Sequence, residues 1–411
     1  MAKVIPFRGI FYNTEKVRGS EVIAPPYDII TPGLRERLYA LSPYNMVRVD
    51  AGADEEGQDK YARAARLLED WLAGGVLKRS PRPAFYAYRV DYSVKGRPRR
   101  MTGFFGLVRL EELGKGAVYP HEETHSKPKR DRLALMTASQ ANTSPIFSLY
   151  HSREKAASSA LARAVEAGAP DLEAEGLDGS VHRLWAVDDP GVVSEVQRDL
   201  SDKAIFIADG HHRYETALDY QRAARLRDGD PAEERPYDFV LMFLANIADD
   251  GLTVLPTHRL ISRGVMEEAG RLSEHFEVGT LPGGADIIDA IEGLEHAFGL
   301  YVRGGGRYVL KYRGGDLGDV PAALRTLDVV VLQEMVFRRI LGVDSYGYEM
   351  DASVAMAMVD RGQYEAAFFL NPTPVEEVEK VALASLRMPP KSTYFFPKIP
   401  AGLVMNSLKS F

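Results

Sequence analysis

The stretch AIFIADGHHRYETAL, residues 204–218, decides how the surrounding chain folds. Its first five residues are apolar, which predicts a buried strand, and the Asp-Gly pair that follows indicates a turn. Tyr214, Ala217 and Leu218, and then Ala224 and Leu226, fall roughly on one face of a helix. The sequence therefore predicts a strand, a turn at Gly210, and a helix whose first turn carries two histidines and an arginine.

That first helical turn is the principal candidate site. Its backbone N–H groups have no partner within the helix, and the helix dipole makes it positive. An arginine beside two histidines is normally unfavourable there and points to a bound anion, for which phosphate is the natural candidate. His211, His212 and Arg213 would bind the phosphates, which the preceding glycine lets approach the backbone. The alternative is a turn whose side chains are solvated or paired with neighbouring carboxylates.

Length and composition bound the class of protein. With 411 residues, 45% of them hydrophobic and 27% charged, we expect a soluble protein of two domains or one elaborated domain. The net charge of −7 argues against nucleic acid as a partner. The absence of Cys excludes disulfides, iron–sulfur clusters, Cys-ligated zinc and thiol catalysis. Because the sequence shows neither a signal-peptide core nor an apolar run of spanning length, we expect a cytoplasmic protein without a membrane partner.

Helix and strand patterns are interleaved along the chain. Residues 84–110 and 301–312 alternate apolar and polar positions around turn residues, which predicts two hairpins. The Ala- and Glu-rich stretch 151–179 is the best candidate for a boundary. We therefore predict an α+β fold with mixed or antiparallel sheets. Its N-terminal domain would cover 1–155, and its C-terminal domain, with the Gly-His-His-Arg segment, 156–411, unless the two form one intertwined unit.

A second group of polar residues lies in segment 119–132, whose broken periodicity predicts a loop. Its His-Glu-Glu-Thr-His run matches the H-E-x-x-H pattern of zinc proteases, but flanking prolines leave room for little more than one helical turn. Zinc-protease chemistry is therefore not expected. A different metal site that uses His121, Glu123 and His125 with later histidines is an alternative to a solvated loop.

Basic and hydroxyl side chains elsewhere complete the predicted phosphate site. The same loop continues into lysines and arginines, a His-Arg pair ends a short apolar strand, and a Lys-Ser-Thr run follows two prolines. That run is not a Walker P-loop, because proline stands where the loop needs glycine, and the His-Arg pair has a purely structural alternative. The predicted phosphate-binding residues here are Lys127, Arg132, His258, Arg259, Lys391, Ser392 and Thr393.

Carboxylates supply the candidate bases and metal ligands. Asp28, after a stiff Pro-Pro turn, is a general base or a magnesium ligand, or it caps the following short helix or closes a turn. The predicted catalytic residues are Asp28, Glu122, His211 and His212. The predicted metal ligands are Asp209, Glu123, His121 and His125.

Five segments together resemble one bacterial and archaeal family, domain of unknown function 1015, and occur in that family's order. They are residues 24–28, 121–125 with 131–133, 208–214, 256–259 and 388–398. The Gly-His-His-Arg segment also resembles the nucleotide-binding box of the ParB/sulfiredoxin superfamily, in which a Gly-x-x-Arg turn at a helix start grips nucleotide phosphates. Within that superfamily, the Asp-Gly-His-His-Arg segment is most similar to that of the free-serine kinases. The chain differs from the sulfiredoxins because it lacks their catalytic Cys.

The resemblance implies a ParB/sulfiredoxin-like nucleotide-binding core. Together with the residues above, it leads to phosphoryl transfer from a nucleotide (ATP, ADP or CTP) with Mg²⁺ to a small hydroxyl-bearing metabolite. Asp28 or Glu122 would accept the hydroxyl proton, and Asp209 or Glu123 would hold magnesium. The alternatives are a ParB-like nucleotide-binding regulatory protein without turnover and a metal-dependent hydrolase built on the histidines. With any of these functions, the chain could form an oligomer.

Overall fold

The computed structural model describes residues 2–122, 126–166, 168–315 and 317–410. Contacts between residues divide the chain into two units. Unit 1 holds the described residues of 1–120, 124–252 and 397–411, and unit 2 holds those of 121–123 and 253–396. The predicted boundary between residues 155 and 156 lies inside unit 1, and each unit is assembled from separate stretches of sequence.

Unit 1 is built on a nine-stranded mixed sheet. Its order is Val118–Tyr119, Ile205–Asp209, Ile146–Tyr150, Phe239–Asn246, Arg97–Arg109, Phe85–Val94, Val181–Val187 and Leu172–Glu175, with Val4–Ile5 also paired to Arg97–Arg109. The first and second strands of this order are parallel, as are the third and fourth, and the other neighbours are antiparallel. The prediction of an α+β fold with mixed sheets is confirmed.

Helices and two small strand pairs surround this sheet within unit 1. The helices are Gly19–Val22, Pro32–Leu41, Val47–Asp50, Lys60–Ala73, Ser126–Ser139, Ala156–Val165, Pro190–Leu200 and His211–Arg227, with 3-10 turns at Tyr27–Ile29 and Pro236–Asp238. The strand pairs are Ile10–Tyr12 with Leu77–Arg79 and Ala141–Asn142 with Asn406–Ser407. None of the helices in the described residues is long and apolar enough to cross a membrane.

The first predicted hairpin forms as expected, and the backbone angles of its turn explain why a glycine stands there. Strands Phe85–Val94 and Arg97–Arg109 are joined by Lys95 (φ 48°) and Gly96 (φ 75°), the left-handed pair that a two-residue hairpin turn requires. Its aromatic side chains lie in the core. They are Phe85, Tyr86, Tyr88, Tyr92, Phe104 and Phe105.

The predicted loop over 119–132 is wrong in its second half. Helix Ser126–Ser139 already begins there. Pro128 lies within the first turn of this helix, where no intrahelical partner is needed for the missing N–H. Proline therefore does not exclude a helix in this segment.

Unit 2 contains a six-stranded antiparallel sheet. Its order is Phe276–Thr280, Gly306–Tyr312, Ala297–Val302, Ala366–Phe369, His258–Ile261 and Gly347–Glu349, and a separate pair joins Thr253–Leu255 to Tyr394–Phe396. The hairpin predicted over 301–312 is the Ala297–Val302 and Gly306–Tyr312 pair. The helical elements are Met266–Glu268, Ala269–His275, Ala322–Leu324, Asp328–Val331, the π-helix Leu332–Leu341, Ala352–Asp360 and Val375–Leu383.

A buried histidine makes the stability of unit 1 dependent on pH. His182 is 1% exposed and lies between the Tyr88 hydroxyl, 2.7 Å from its Nδ1, and the Ser180 hydroxyl, 2.9 Å from its Nε2. Burial lowers its pKa to about 4, against the opposing charge of Asp178. The unfolded chain, with a histidine pKa of about 6.5, therefore binds this proton more tightly than the folded chain does.

We expect the free energy of unfolding to fall as the pH drops from 6.5 towards 4, and His182 to have no such effect above pH 7. One proton taken up on unfolding gives a slope of up to about 1.4 kcal/mol per pH unit. Urea unfolding of the wild type and His182→Gln across this range measures it. The variant should show the smaller slope, and equal slopes in the two proteins would refute the assignment.

Candidate functional site

The strand, turn and helix predicted from residues 204–218 are present in unit 1. The strand Ile205–Asp209 is buried over its first four residues, and the helix His211–Arg227 begins two residues after the strand ends. Gly210 separates them with a φ of +96°, and no side chain among the described residues caps the helix. The first helical N–H groups therefore face a turn that holds only glycine, which is the geometry of an anion site.

Arg213 folds back over this turn. Its guanidinium lies so close to Gly210 that a Cβ built on the glycine would be 2.8 Å from Nε. Nη1 donates to the carbonyl oxygen of Pro145, and Nη2 lies 3.7 Å from Oδ2 of Asp209. The residue is only 9% exposed, and within the described part of the chain its buried Nε has no hydrogen-bond partner. A buried cation thus keeps one N–H donor unused beside the helix N-terminus.

Further charges surround the turn. Lys398 donates from Nζ to Oδ2 of Asp209 at 3.0 Å, so Asp209 lies between Lys398 and Arg213. On the following helical turn, Glu215 pairs with Lys129 at 2.7 Å. Asp209 therefore lies directly before the turn predicted to bind phosphate, and its carboxylate is already paired with a lysine.

A second buried cation lies near the first. The Arg132 guanidinium is 4.0 Å from the ring centroid of Tyr27, and its Nη1 lies 3.2 Å from Oδ1 of Asp50. Arg132 also contacts the carboxylate of Asp131 at 2.6 Å. Burial lowers the pKa of Arg132, but Asp50 and Asp131 outweigh it and raise that pKa overall. Arg132 is thus a permanently charged group held rigidly by two carboxylates and a tyrosine ring.

Tyr27 connects the two arginines electrostatically. Burial raises its pKa to about 12, although the charges of both Arg213 and Arg132 act to lower it. Asp28 and Asp209 are the next contributors. The Tyr27 hydroxyl is therefore neutral at physiological pH, and the segments around residues 27, 132 and 209–213 form one cluster in unit 1.

Asp28 is exposed in the 3-10 turn Tyr27–Ile29. The alternative that it caps the following helix is wrong, because the Thr31 hydroxyl accepts the N–H of Leu34 and caps helix Pro32–Leu41. Asp28 lies within this turn, which agrees with the alternative of a turn residue, and its role as a base or a magnesium ligand stays a prediction.

A polar cavity of about 160 Å³ opens beside Arg132. Its lining is dominated by charged and hydroxyl side chains. These include Tyr27, Arg35, Asp50, Lys60, Tyr61, Asp131 and Arg132. Oδ2 of Asp50 is buried there, with no hydrogen-bond partner among the residues described.

The other predicted site residues gather in unit 2. His121 is fully buried, with Nε2 3.1 Å from the hydroxyl of Thr393, and its carbonyl oxygen accepts the N–H of Met388. The backbone of Glu122 bridges to that of Met388 in parallel. Arg259 donates to the carbonyl oxygen of Lys391 at 3.0 Å. The segments around residues 121, 259 and 391 therefore lie together.

Several of these unit 2 side chains are already engaged. The Ser392 hydroxyl donates to the carbonyl oxygen of Pro389 at 2.6 Å. Burial, and then the charge of Arg259, lowers the pKa of His258 to about 4. His258 is therefore neutral at pH 7 and does not add positive charge to a phosphate clamp. Lys391 is exposed.

Among the described residues, the predicted metal ligands do not form a metal-binding group. Glu123 and His125 lie outside the described residues, as does the side chain of Lys127. Asp209 belongs to unit 1 and His121 to unit 2. Over the described ranges, no group of three or more His, Asp or Glu side chains is arranged to hold a metal. The metal site stays a prediction.

Two residues of the unit 1 cluster were missed in the sequence. Asp50 ends the short helix Val47–Asp50 and pairs with Arg132, which is 82 residues away. Lys398 reaches Asp209 across 189 residues. The Lys-Ser-Thr run of the Met388 to Lys398 segment was predicted to bind phosphate, whereas Lys398, which was not, pairs with Asp209 within unit 1.

Gly210→Ala is expected to destabilise the protein by about 1–3 kcal/mol, the cost of a non-glycine residue in a sparsely populated backbone region. The added Cβ would also displace the Arg213 guanidinium. Gly33→Ala is the matched control, because Gly33 lies in helix Pro32–Leu41 and a Cβ added there would meet nothing within 4 Å. Thermal and urea unfolding of both variants measures the difference. Equal stability of the two variants would contradict this account of the turn.

Comparisons with known proteins give a family and distant structural neighbours. The family model described as protein of unknown function, DUF1015, matches residues 4–330. No curated protein matches the chain. Among solved structures, the chain is similar to a conserved hypothetical protein from Pyrococcus furiosus, at 16% identity over 72% of this chain and 94% of that chain, with a TM-score of 0.35.

Two further solved structures are similar to the chain at the same level. Free serine kinase in complex with AMP has 16% identity, covers 72% of this chain and 98% of that chain, and gives a TM-score of 0.35. SbnI with C-terminal truncation from Staphylococcus aureus has 12% identity, covers 74% and 89% respectively, and gives a TM-score of 0.38. The likeness to the ParB and sulfiredoxin proteins stays a prediction, and function has to be argued from this chain's own residues.

Proposed function

The chain belongs to the family of proteins of unknown function DUF1015, and from that premise we propose that unit 1 binds the phosphates of a nucleotide and transfers a phosphoryl group to a small hydroxyl-bearing metabolite. The phosphates would lie at the N-terminus of helix His211–Arg227, over Gly210. ATP, ADP and CTP all present the phosphate chemistry that this turn would bind.

One observation carries the proposal, namely the unused donor of Arg213. A buried guanidinium nitrogen without a partner costs free energy, and here it lies beside the uncapped start of a 17-residue helix. A phosphate oxygen would satisfy both the Arg213 Nε–H and the first helical N–H groups. Arg132, held by Asp50 and Asp131, adds the positive charge that phosphoryl transfer requires.

The remaining predicted residues have roles that fit this placement. His211 and His212 occupy the first helical turn, where their ring N–H groups would donate to phosphate oxygens. Asp28, exposed at the edge of the cluster, would accept the proton of the acceptor hydroxyl. Glu122, in unit 2, stays the second candidate for that base.

Magnesium fits the oxygen donors of this site. A hard cation with several water ligands needs only one or two carboxylates together with the substrate phosphates, and Asp209 supplies a carboxylate next to the turn. Asp209 would hold the ion, with Glu123 as the other predicted ligand. Bound magnesium would neutralise phosphate charge.

The test of turnover is the transfer of a labelled terminal phosphate from ATP, or the β-phosphate from ADP, to a panel of hydroxyl-bearing metabolites that includes L-serine. Product formation that Asp28→Asn reduces without weakening nucleotide binding is expected. Asp54→Asn is the matched control, since Asp54 is an exposed carboxylate of the same unit. Nucleotide binding without transfer to any acceptor would support a regulatory protein instead and would contradict the proposed transfer.

A further inference from the structure

A second cavity in unit 1, of about 570 Å³, belongs to neither the phosphate turn nor the polar cavity. It lies between one face of the sheet and the helix Ala156–Val165, and its volume is in the usual range of small-molecule sites. Its lining is largely apolar, with four arginines (Arg89, Arg100, Arg163 and Arg183) and one carboxylate, Glu166. The lining includes Ala87, Arg89, Arg100, Phe104, Tyr150, Leu161, Arg163, Val165, Arg183 and Trp185.

Strand register places the sheet side of this cavity on one face. Trp185 pairs with Ala87, and Ala87 pairs with Phe104 on the next strand. Trp185 is held in place because its indole N–H donates to the carbonyl oxygen of Gly168 at 2.9 Å. Leu161 of the helix faces the same cavity. These side chains form a fixed apolar wall that a hydrocarbon group could contact.

Arg89 lies at this wall with an incomplete set of partners. Its guanidinium is 5.3 Å from the ring centroid of Trp185. Its Nε is buried, and no residue described in the structure accepts a hydrogen bond from it. The nearest carboxylate oxygen, on Asp91, is 3.8 Å away. Arg89 also stands directly opposite Arg183 on the neighbouring strand, where like charges are unfavourable.

The neighbouring arginines are better compensated than Arg89. Asp91 accepts from Arg100 at 2.5 Å and from Arg183 at 2.6 Å, so its oxygens are taken. Arg183 additionally pairs with Glu173 at 2.6 Å. Arg89 therefore shares one carboxylate with two closer arginines, and the four arginines of the lining outnumber its single carboxylate at the edge of an apolar cavity.

We propose that this cavity binds a hydrophobic carboxylate, with its hydrocarbon part against Trp185, Phe104 and Leu161 and its carboxylate on Arg89. A carboxylate would supply the acceptor that the Arg89 Nε–H lacks and would form a charge-assisted hydrogen bond. The hydrocarbon part would bury apolar surface without leaving a polar group unsatisfied. None of the residues in this proposal belongs to the proposed phosphate site, so each of the two proposals can be tested without the other.

Octanoate is the probe, and octylamine and octan-1-ol are its matched controls of opposite and zero charge. The full chain has two tryptophans, of which Trp71 lies in the core near Tyr12 and Tyr44. In a Trp71→Phe background, fluorescence reports Trp185 alone, and calorimetry on the wild type gives the same affinity without the substitution. We expect octanoate to bind with a dissociation constant below about 1 mM and about tenfold more tightly than either control.

Two variants, with a third as a control, test whether octanoate binds in this cavity. Arg89→Gln is expected to weaken octanoate binding by about tenfold. Arg99→Gln, one residue from Arg100 on the opposite face of its strand and exposed, should leave binding unchanged. Ala162→Phe, on the exposed surface of the helix that lines the cavity, should fill it and abolish binding.

Three outcomes would overturn the proposal. The first is no binding of octanoate by the wild type at about 10 mM, weaker than any specific site. The second is equal binding of octanoate, octylamine and octan-1-ol, which would mean an apolar surface without anion recognition. The third is an equal effect of Arg89→Gln and Arg99→Gln.

Discussion

Arg213→Gln is expected to weaken the binding of ADP by about tenfold to one hundredfold, the range of one lost charge-assisted hydrogen bond. The substitution keeps a polar side chain but removes the positive charge and the Nε–H that lies unused beside the helix N-terminus. Isothermal calorimetry measures the dissociation constant. Adenosine binding should change much less than ADP binding, because the lost contact is to phosphate.

Arg222→Gln is the matched control for this prediction. Arg222 lies on the same helix, His211–Arg227, and its side chain is 58% exposed. Its pairs with Asp219 and Glu112 are surface pairs at 3.5 and 3.6 Å, which contribute little. If both variants bound ADP as tightly as the wild type does, Arg213 would not be a phosphate ligand.

Asp50→Asn is expected to lower the free energy of unfolding by about 3–5 kcal/mol, the usual cost of removing one partner from a buried ion pair. Asp50 is fully buried, and its Oδ1 accepts from both Arg132 and the hydroxyl of Thr143. The neutral amide would leave Arg132 with Asp131 as its remaining acidic partner in the described cluster. Urea unfolding followed by circular dichroism measures the loss.

Asp54→Asn provides the comparison, because the Asp54 side chain is 86% exposed and pairs with Lys60 at 3.3 Å. A surface pair of this kind is worth at most about 1 kcal/mol. Similar losses in Asp50→Asn and Asp54→Asn would show that the buried pair does not hold the cluster together. A large loss only in Asp50→Asn would establish Asp50 as a residue that positions Arg132.

Local sequence patterns were sufficient to predict the strand, turn and helix of the candidate site. The apolar run before Asp209 predicts a strand from adjacent residues alone, and Gly210 is the residue that a φ of +96° favours. The helix that follows is specified by its own spacing of apolar residues. Each of these elements depends on interactions within a few residues, which a sequence displays directly.

The partners of that turn could not be predicted in the same way. Asp50 and Lys398 reach the cluster through contacts of long sequence separation, and nothing near either residue in the sequence marks it as a partner. Conversely, the Ser392 hydroxyl, predicted to bind phosphate, donates to Pro389. A hydroxyl-rich run predicts hydrogen bonding, but only the fold determines whether a ligand or the backbone receives it.

The central claim is that unit 1 contains a phosphate site at the start of helix His211–Arg227, and calorimetric titration of the wild-type protein with ADP and with adenosine tests it most directly. The account predicts that ADP binds with a stoichiometry near one and at least about tenfold more tightly than adenosine, as expected for charge-assisted bonds to phosphate. Equal affinities for the two ligands, or no binding of ADP, would contradict it.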